Sequence, residues 1–369
     1  MRVICHECGT LTEFDANKYR CACGGPWEPL ESDEFDPEKI EQSKSTLWRY
    51  KKIFDLIEVN HPITLGAGWT PLVEAEFDGA QTWFKLEYVS PTGSFKDRGT
   101  EVEMNYLSAA GIGHVVEDSS GNAGASMAAY AAHAGLKAAI YAPDSASPAK
   151  LSQIGIFGAE LHKIPGARIE STRAVLKAVE DGAVYASHAY NPIYLLGQQS
   201  IAWEIWEQLY HDIPDALIIP TGQGGLLMGA WLGFRRLKNA GITKKLPQLF
   251  SAQPELLAPI HNAFTKGLDD ILEVTPTEKS IAEGLAIVKP VRSKRLLQAL
   301  KNSEGGAKTV TEDEITEAYK KLALRGIFAE PSSAVAAAAV SKVREQMGSK
   351  ARIVVALTGS GLKSPIQVS

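Results

Sequence analysis

From residue 114 onward, short apolar runs alternate with stretches of helical periodicity. His114-Val115-Val116-Glu117 reads as a short buried strand and Ala123 to Ala134 as an Ala-rich helix. Ala138 to Ala142 is a further strand, Pro148 to Phe157 a helix and Glu160 to Ile164 a strand. Arg168 to Val179 reads as an amphipathic helix and Ala183 to Ser187 as the next strand. A second array runs from a helix at Ser200 to Leu209 through a buried strand at Ala216 to Ile219 and a helix at Gly225 to Leu237. Leu249 to Ala252 and Ile353 to Leu357 are apolar strands. Upstream, Trp83 to Glu87 alternates like an edge strand, and Gly66 to Leu72 is a turn into an extended segment. Trp48-Arg49-Tyr50 with Ile53-Phe54 forms an aromatic anchor for a leading arm, and residues 264–310 are less regular.

Alternating strands and helices of this length predict an α/β protein with parallel sheets flanked by helices. A chain of 369 residues exceeds a comfortable single core, so two α/β lobes with a cleft between them are expected. Composition adds little beyond exclusions. Apolar residues make up 45% and charged residues 22%, and the net charge of −5 leaves no basic stripe for nucleic acid. No apolar run is long enough to cross a membrane and no signal-peptide pattern opens the chain, so a cytoplasmic location is expected.

The cysteines change the picture. All four, Cys5, Cys8, Cys21 and Cys23, fall near the start, as Cys-x-x-Cys and then Cys-x-Cys. The cluster suggests one tetrahedral thiolate zinc site, although the second pair is one residue tighter than the usual knuckle. Free thiols or a disulfide pair are the alternatives, and His6 is a possible substitute ligand.

The stretch richest in chemistry is Ser90-Pro91-Thr92-Gly93-Ser94-Phe95-Lys96-Asp97-Arg98-Gly99. Ser94 and Asp97 have the spacing of a capping box, which places Lys96 in a first helical turn. There the positive end of the helix dipole, with burial near Phe95, favours the neutral amine that carbonyl chemistry requires. The plainer alternative is one more solvated lysine. Three loops follow strands. Ser119-Ser120-Gly121-Asn122-Ala123-Gly124, with Asn122 at an N-cap, could surround a carboxylate with backbone N–H groups. Thr221-Gly222-Gln223-Gly224-Gly225 could close round a phosphate. Thr358-Gly359-Ser360-Gly361 offers a hydroxyl at a strand's carboxyl end. The Gly222 loop has neither the dinucleotide fingerprint nor a P-loop lysine. Each loop alone is also what an ordinary tight turn looks like. A lysine nucleophile, a phosphate cup and a carboxylate cup together describe an amino acid joined to a phosphorylated aldehyde, namely pyridoxal phosphate.

With these motifs the chain resembles the fold-type II pyridoxal-phosphate enzymes of the tryptophan synthase beta-like superfamily, and its motifs are most similar to those of threonine synthases. The likeness also takes in Leu47-Trp48-Arg49-Tyr50, Gly68 to Leu72, Gly197-Gln198 and Glu330-Pro331-Ser332-Ser333-Ala334. The resemblance implies a Cys-rich, zinc-ribbon-like segment at 1–30, a large cofactor domain from 31–96 and 190–369, and a small mobile domain at 97–189. It implies that Lys96 carries the cofactor and moves protons, with Phe95 beside it. Asn122 would bond the ring hydroxyl. Gly222, Gln223, Gly224, Gly225 and Leu226 would hold the phosphate, and Thr358 would face the pyridine nitrogen. Ser119, Ser120, Gly121, Asn122 and Ala123 would hold the substrate carboxylate. A homodimer acting on a small amino acid is implied as well.

A hydroxyl at the pyridine nitrogen, in place of a carboxylate, weakens the electron sink and favours elimination and replacement over transamination. The implied reaction is O-phosphohomoserine plus water to threonine and phosphate. Two sequence features point elsewhere. Where threonine synthases carry Asn-Ser and an Arg that grip the substrate phosphate, this chain has His188, Ala189 and Tyr194, and Leu196 stands where an acidic residue is expected. Ile281 to Ala286 resembles a loop of serine/threonine dehydratases. A deaminating dehydratase, a synthase adding another nucleophile such as sulfite or a thiol, and an idle scaffold that kept the fold are the alternatives.

Overall fold

The computed structural model describes residues 1–30, 34–54, 61–144, 146, 148–166, 168–276 and 278–364. Its strands are β1 (Arg2–Ile4), β2 (Leu11–Glu13), β3 (Glu28–Pro29), β4 (Leu72–Phe77), β5 (Ala80–Lys85), β6 (His114–Glu117), β7 (Lys137–Pro143), β8 (Glu160–Ile164), β9 (Val184–Tyr185), β10 (Ala216–Pro220), β11 (Gln248–Pro254), β12 (Gly306–Val310) and β13 (Ile353–Ala356). Its helices are α1 (Lys96–Ala109), α2 (Asn122–Ala134), α3 (Pro148–Ile156), α4 (Arg168–Glu180), α5 (Pro192–Gln208), α6 (Gly225–Asn239), α7 (Pro259–Thr265), α8 (Ser293–Asn302), α9 (Glu312–Ala323), α10 (Pro331–Ala338) and α11 (Val340–Met347). The chain divides into two compact units. One comprises Met1–Glu31, Asp36–Trp69 and Ser90–Gln198, the other Ser32–Phe35, Thr70–Val89 and Gln199–Ser369.

In the first unit a parallel sheet has the order β8-β7-β6-β9, and a small antiparallel sheet, β2-β1-β3, carries the cysteines. α2 is buried from Ala123 to Ala131, which its alanines permit, and it ends where Gly135 takes φ +71° and closes the last turn. The leading arm is anchored as its aromatic pattern predicts, with Trp48, Tyr50, Ile53 and Phe54 all buried.

The second unit is built on a six-stranded sheet, β12-β11-β10-β13-β5-β4, parallel except for β4. The continuous apolar runs of β10 and β13 become interior strands, because a parallel strand covered on both faces has no solvated side to make polar. Phe84, Ile218, Phe250 and Val355 form the core with the small residues of α10, whose alanines let it lie close on the sheet. Thr311 and Glu314 start α9 with a reciprocal capping box.

Three expectations need correction. β5 is interior, paired to both β13 and β4, and the edge strand is β4. α5 begins at Pro192 rather than Ser200, because the Asn191 side chain accepts the Ile193 N–H at 2.8 Å and a proline suits the first helical position. The stretch 264–310 is less irregular than its composition suggests, since it holds α8 and β12. A Cβ on Gly305 would lie 1.8 Å from the Leu249 carbonyl oxygen, so this glycine permits strand contact instead of breaking structure. Among the described residues no helix is long and apolar enough to cross a membrane.

Candidate active site

In the first unit Lys96 is the first residue of α1, as its spacing predicts, but the capping box does not form. The N-cap residue is Phe95 and makes no side-chain cap. Asp97 is instead fully buried, where its carboxylate accepts the Thr92 N–H at 2.7 Å, the Thr92 hydroxyl at 2.5 Å and the Ser126 hydroxyl at 2.7 Å. It therefore ties the lysine loop to α2. Ser94 keeps a buried hydroxyl with no partner among the described residues. The Lys96 amine is half-buried and lies 4.6 Å over the Phe95 ring, a cation–π contact that stabilises the ammonium against the adverse helix dipole.

Sequence reasoning gave Gly197 and Gln198 only as a motif. The structure supplies their purpose. A Cβ on Gly197 would lie 2.0 Å from the Arg98 carbonyl oxygen, so α5 starts hard against α1. The Gln198 amide donates to the Phe95 carbonyl at 3.3 Å, holding the backbone just before the lysine.

The loop Ser119–Ala123 follows β6. Gly121, not Asn122, is the N-cap residue of α2, and Asn122 is its first helical residue. The N–H groups of Ser120, Ala123 and Gly124 have no acceptor among the described residues. Only glycine fits at 124, where a Cβ would sit 1.9 Å from the Ser119 carbonyl oxygen.

At the end of the neighbouring strand β9, His188 directs its backbone N–H and Nδ1 to Glu117, at 3.1 and 3.2 Å. Glu117 and Glu103 are both buried. Burial and then the neighbouring Asp118 push Glu117 well above the carboxylate range, and burial and then Glu117 do the same to Glu103. Ionisation of Glu117 is therefore disfavoured, and its carboxyl is held by the backbone N–H and the ring of His188. Asp118 is held low despite burial, by Arg168 and by hydroxyls of Thr172 at 2.6 Å and Tyr185 at 2.7 Å. Tyr194 is packed on Gly99, where a Cβ would lie 2.4 Å from its ring, and Asn191 donates to Glu103 at 2.5 Å.

In the second unit the loop Thr221–Gly225 runs from β10 to α6. Gly224 is the N-cap residue at φ +81°, a conformation that glycine adopts without strain. Among the described residues the N–H groups of Gly222, Gln223, Gly224, Gly225 and Leu226 donate to nothing. The Gln223 side chain pins the loop by accepting the Val291 N–H at 3.0 Å, and Gln253 holds the Thr221 carbonyl at 3.1 Å. Ile281 to Ala286 packs beside it, for a Cβ on Gly222 would meet the Gly284 carbonyl oxygen at 3.4 Å. Thr358 follows β13, and its hydroxyl lies 3.1 Å from that of Ser333 in the first turn of α10.

The four cysteines converge. Their Sγ atoms all lie within 4.8 Å of one another, with Cys5 to Cys23 at 3.5 Å and Cys8 to Cys21 at 3.6 Å. His6 is not part of this group and faces Glu28 at 3.5 Å.

Residues 63–359 match the family described as pyridoxal-phosphate dependent enzyme. The chain is 34% identical to the threonine synthase of Methanocaldococcus jannaschii, over 98% of this chain and 92% of that protein. Among solved structures, serine racemase from Dictyostelium discoideum matches with a TM-score of 0.67 and 25% identity, over 81% of this chain and 93% of that one. Maize serine racemase matches in fold with a TM-score of 0.69 at 24% identity, over 81% and 89%. The lysine at the head of α1, the bare backbone cup and these likenesses agree, and the chain belongs to the pyridoxal-phosphate dependent enzyme family, with the fold-type II architecture.

Proposed function

We propose that this enzyme carries out elimination and replacement on a small amino acid, with threonine synthase as its best match: O-phosphohomoserine and water to threonine and phosphate. The observation that carries the reading is the cup at Gly222–Leu226. Five backbone N–H groups without an acceptor, at a helix N-terminus, fit a phosphate ester. Bound pyridoxal phosphate supplies the electron sink that acidifies the bond to the α-hydrogen.

This chain's residues would do the rest. Lys96 would anchor the cofactor and then, as the free amine, take the α-proton and return it. Phe95 would flank it. Gly222, Gln223, Gly224, Gly225 and Leu226 would hold the phosphate, Asn122 the ring hydroxyl and Thr358 the pyridine nitrogen. Ser119, Ser120, Gly121, Asn122 and Ala123 would hold the substrate carboxylate, and residues 97–189 would move as the small domain. Borohydride reduction of the holoenzyme followed by peptide mass mapping should place the reduced adduct on Lys96. Phosphate release from O-phosphohomoserine should then be measured, and its absence refutes the threonine synthase assignment.

One observation favours a second reading, a serine/threonine dehydratase. At the positions where a substrate phosphate would need a guanidinium, the first unit presents His188 bonded to a buried acid and Tyr194 packed on a helix. Ammonia and keto-acid release from serine and threonine, without phosphate release, would decide for it. An aminoacrylate β-replacement synthase is separated by product analysis with sulfite or a thiol added.

The four thiolates fit a structural zinc ion. Bonds of about 2.3 Å in a tetrahedron put the sulfurs about 3.8 Å apart, close to the two contacts between them. Zinc analysis of the purified protein checks this. A cytoplasmic homodimer completes the proposal, and light scattering would give its mass.

A further inference from the structure

Tyr19 stands two residues before Cys21, and its ring packs into the parallel sheet of the same unit, against the cluster of Val116, Val175 and Tyr185. It lies edge-on to Tyr185 at 5.2 Å and to Tyr190 at 5.3 Å. These two tyrosines bracket the turn between β9 and α5, which closes where the N–H groups of Tyr190 and Asn191 donate to the Ser187 carbonyl at 3.0 and 2.8 Å. Tyr19 is therefore a wedge that touches both ends of that turn.

Tyr185 carries the contact onward. Its hydroxyl donates to one carboxylate oxygen of Asp118 at 2.7 Å, and the Thr172 hydroxyl donates to the other at 2.6 Å. Asp118 is 5% exposed and directly precedes Ser119. With both oxygens held, it fixes the point from which the loop Ser119–Ala123 departs. Val116, two residues upstream, is the strand partner of Tyr185, so the tyrosine and the loop share one strand pair.

The cysteine knuckle holds the other end. The buried Trp27 donates its ring N–H to the Lys18 carbonyl at 3.0 Å, just before Tyr19. The Cys21 N–H goes to the Gly25 carbonyl at 2.9 Å, and the Gly24 N–H returns to the Cys21 carbonyl at 2.8 Å. The segment's own core is only Val3, Cys5, Cys21 and Trp27, two of them thiols. A core this small leaves its order to whatever joins the sulfurs.

We propose that Tyr19 is a positioning residue for the loop Ser119–Ala123, acting through Tyr185 and Asp118, so that zinc at the four cysteines is felt as tighter substrate binding. This rests on the assignment of that loop to the substrate carboxylate. Loss of Tyr19 or of zinc loosens the loop and leaves Lys96 and the phosphate cup in place, so substrate affinity falls while the cofactor stays bound.

The test is amide hydrogen exchange of the peptide spanning residues 118–124, with a titration of L-alanine followed by the cofactor's absorbance, both in zinc-loaded holoenzyme. L-Alanine carries the carboxylate and has no leaving group, so binding is read without elimination. Tyr19→Ala should speed exchange in that peptide and raise the dissociation constant of L-alanine about fivefold, the order of an edge-to-face ring pair. Tyr19→Phe keeps the ring and should match the parent in both. Phe14→Ala removes the segment's other ring contact, to Tyr106 of α1 at 5.7 Å, and should lower the melting temperature with neither readout moved. Stripping zinc from the parent with a chelator should reproduce Tyr19→Ala, and should add little in Tyr19→Ala itself. Exchange at 118–124 that is unchanged in Tyr19→Ala or in the zinc-free parent, or shifted as much by Phe14→Ala, overturns the inference. Faster exchange with an unmoved dissociation constant defeats the carboxylate assignment instead. Should Tyr19→Ala not fold, Tyr19→Leu keeps apolar bulk without the ring edge and should move both readouts the same way; no movement is again fatal.

Discussion

The two units bury charge in opposite ways. In the second, Lys85 is fully enclosed and every donor has a partner: Glu204 at 2.7 Å, the Thr70 carbonyl at 2.6 Å and Gln208 at 2.9 Å. In the first, Glu103, Glu117 and Asp118 crowd together, and burial and neighbouring negative charge push two of the three carboxyls well above the usual range. One region answers desolvation by pairing, and in the other desolvation favours the neutral form of the acids. Paired charge is insensitive to moderate pH and intolerant of losing one member. Protonated acids tolerate neutral replacement and respond to pH.

The largest test of that contrast is Lys85→Met, which strands a buried carboxylate at Glu204. It should cost about 3–5 kcal/mol in denaturant unfolding, and adding Glu204→Met should recover most of the loss. If the single variant is as stable as the parent, the pairing account fails. Next is Gly197→Ala, whose Cβ has no room beside the Arg98 carbonyl. A loss of about 1–3 kcal/mol is expected, with cofactor capture at Lys96 slowed because Gln198 is displaced from Phe95.

Smaller effects sharpen the comparison. Glu103 and Glu117 have folded-state values raised above those of the unfolded chain, so the native protein binds more protons over the window from about pH 4.5 upward. Their contribution is fully present below that window and is lost as pH rises through the folded values. Glu103→Gln should therefore flatten the fall of melting temperature toward alkaline pH, whereas Glu204→Gln should not. Identical profiles for parent and Glu103→Gln would show that the acid is ionised in the fold. Thr311→Ala, which removes the α9 capping box in the second unit, should cost about 1 kcal/mol at neutral pH.

The parts legible beforehand were those with local causes. Lys96 falls in a first helical turn, the strand of β10 lies inside a parallel sheet, and Gly224 heads a helix because it can take a left-handed backbone. Less legible were residues whose partners are distant in sequence. Asp97 has capping-box spacing, yet Thr92 and Ser126 claim it, because a buried carboxylate takes the donors that packing brings. Gly305 falls in the stretch that reads as less regular, but its neighbour is Leu249, more than fifty positions away. Ser333 belongs to a Pro-Ser-Ser-Ala run that signals a helix start, and nothing local says that its hydroxyl meets Thr358.

By itself the sequence determined the alternation of strands and helices, the Gly-rich turns and the inventory of amine, thiols and hydroxyls, because backbone preference and hydrophobic period act over a few residues. The tertiary structure alone decided which buried carboxyl is paired and which is pushed above its usual range, since desolvation and partners are properties of the packed interior. It also decided which hydroxyl stands behind another, and no spacing along the chain encodes that.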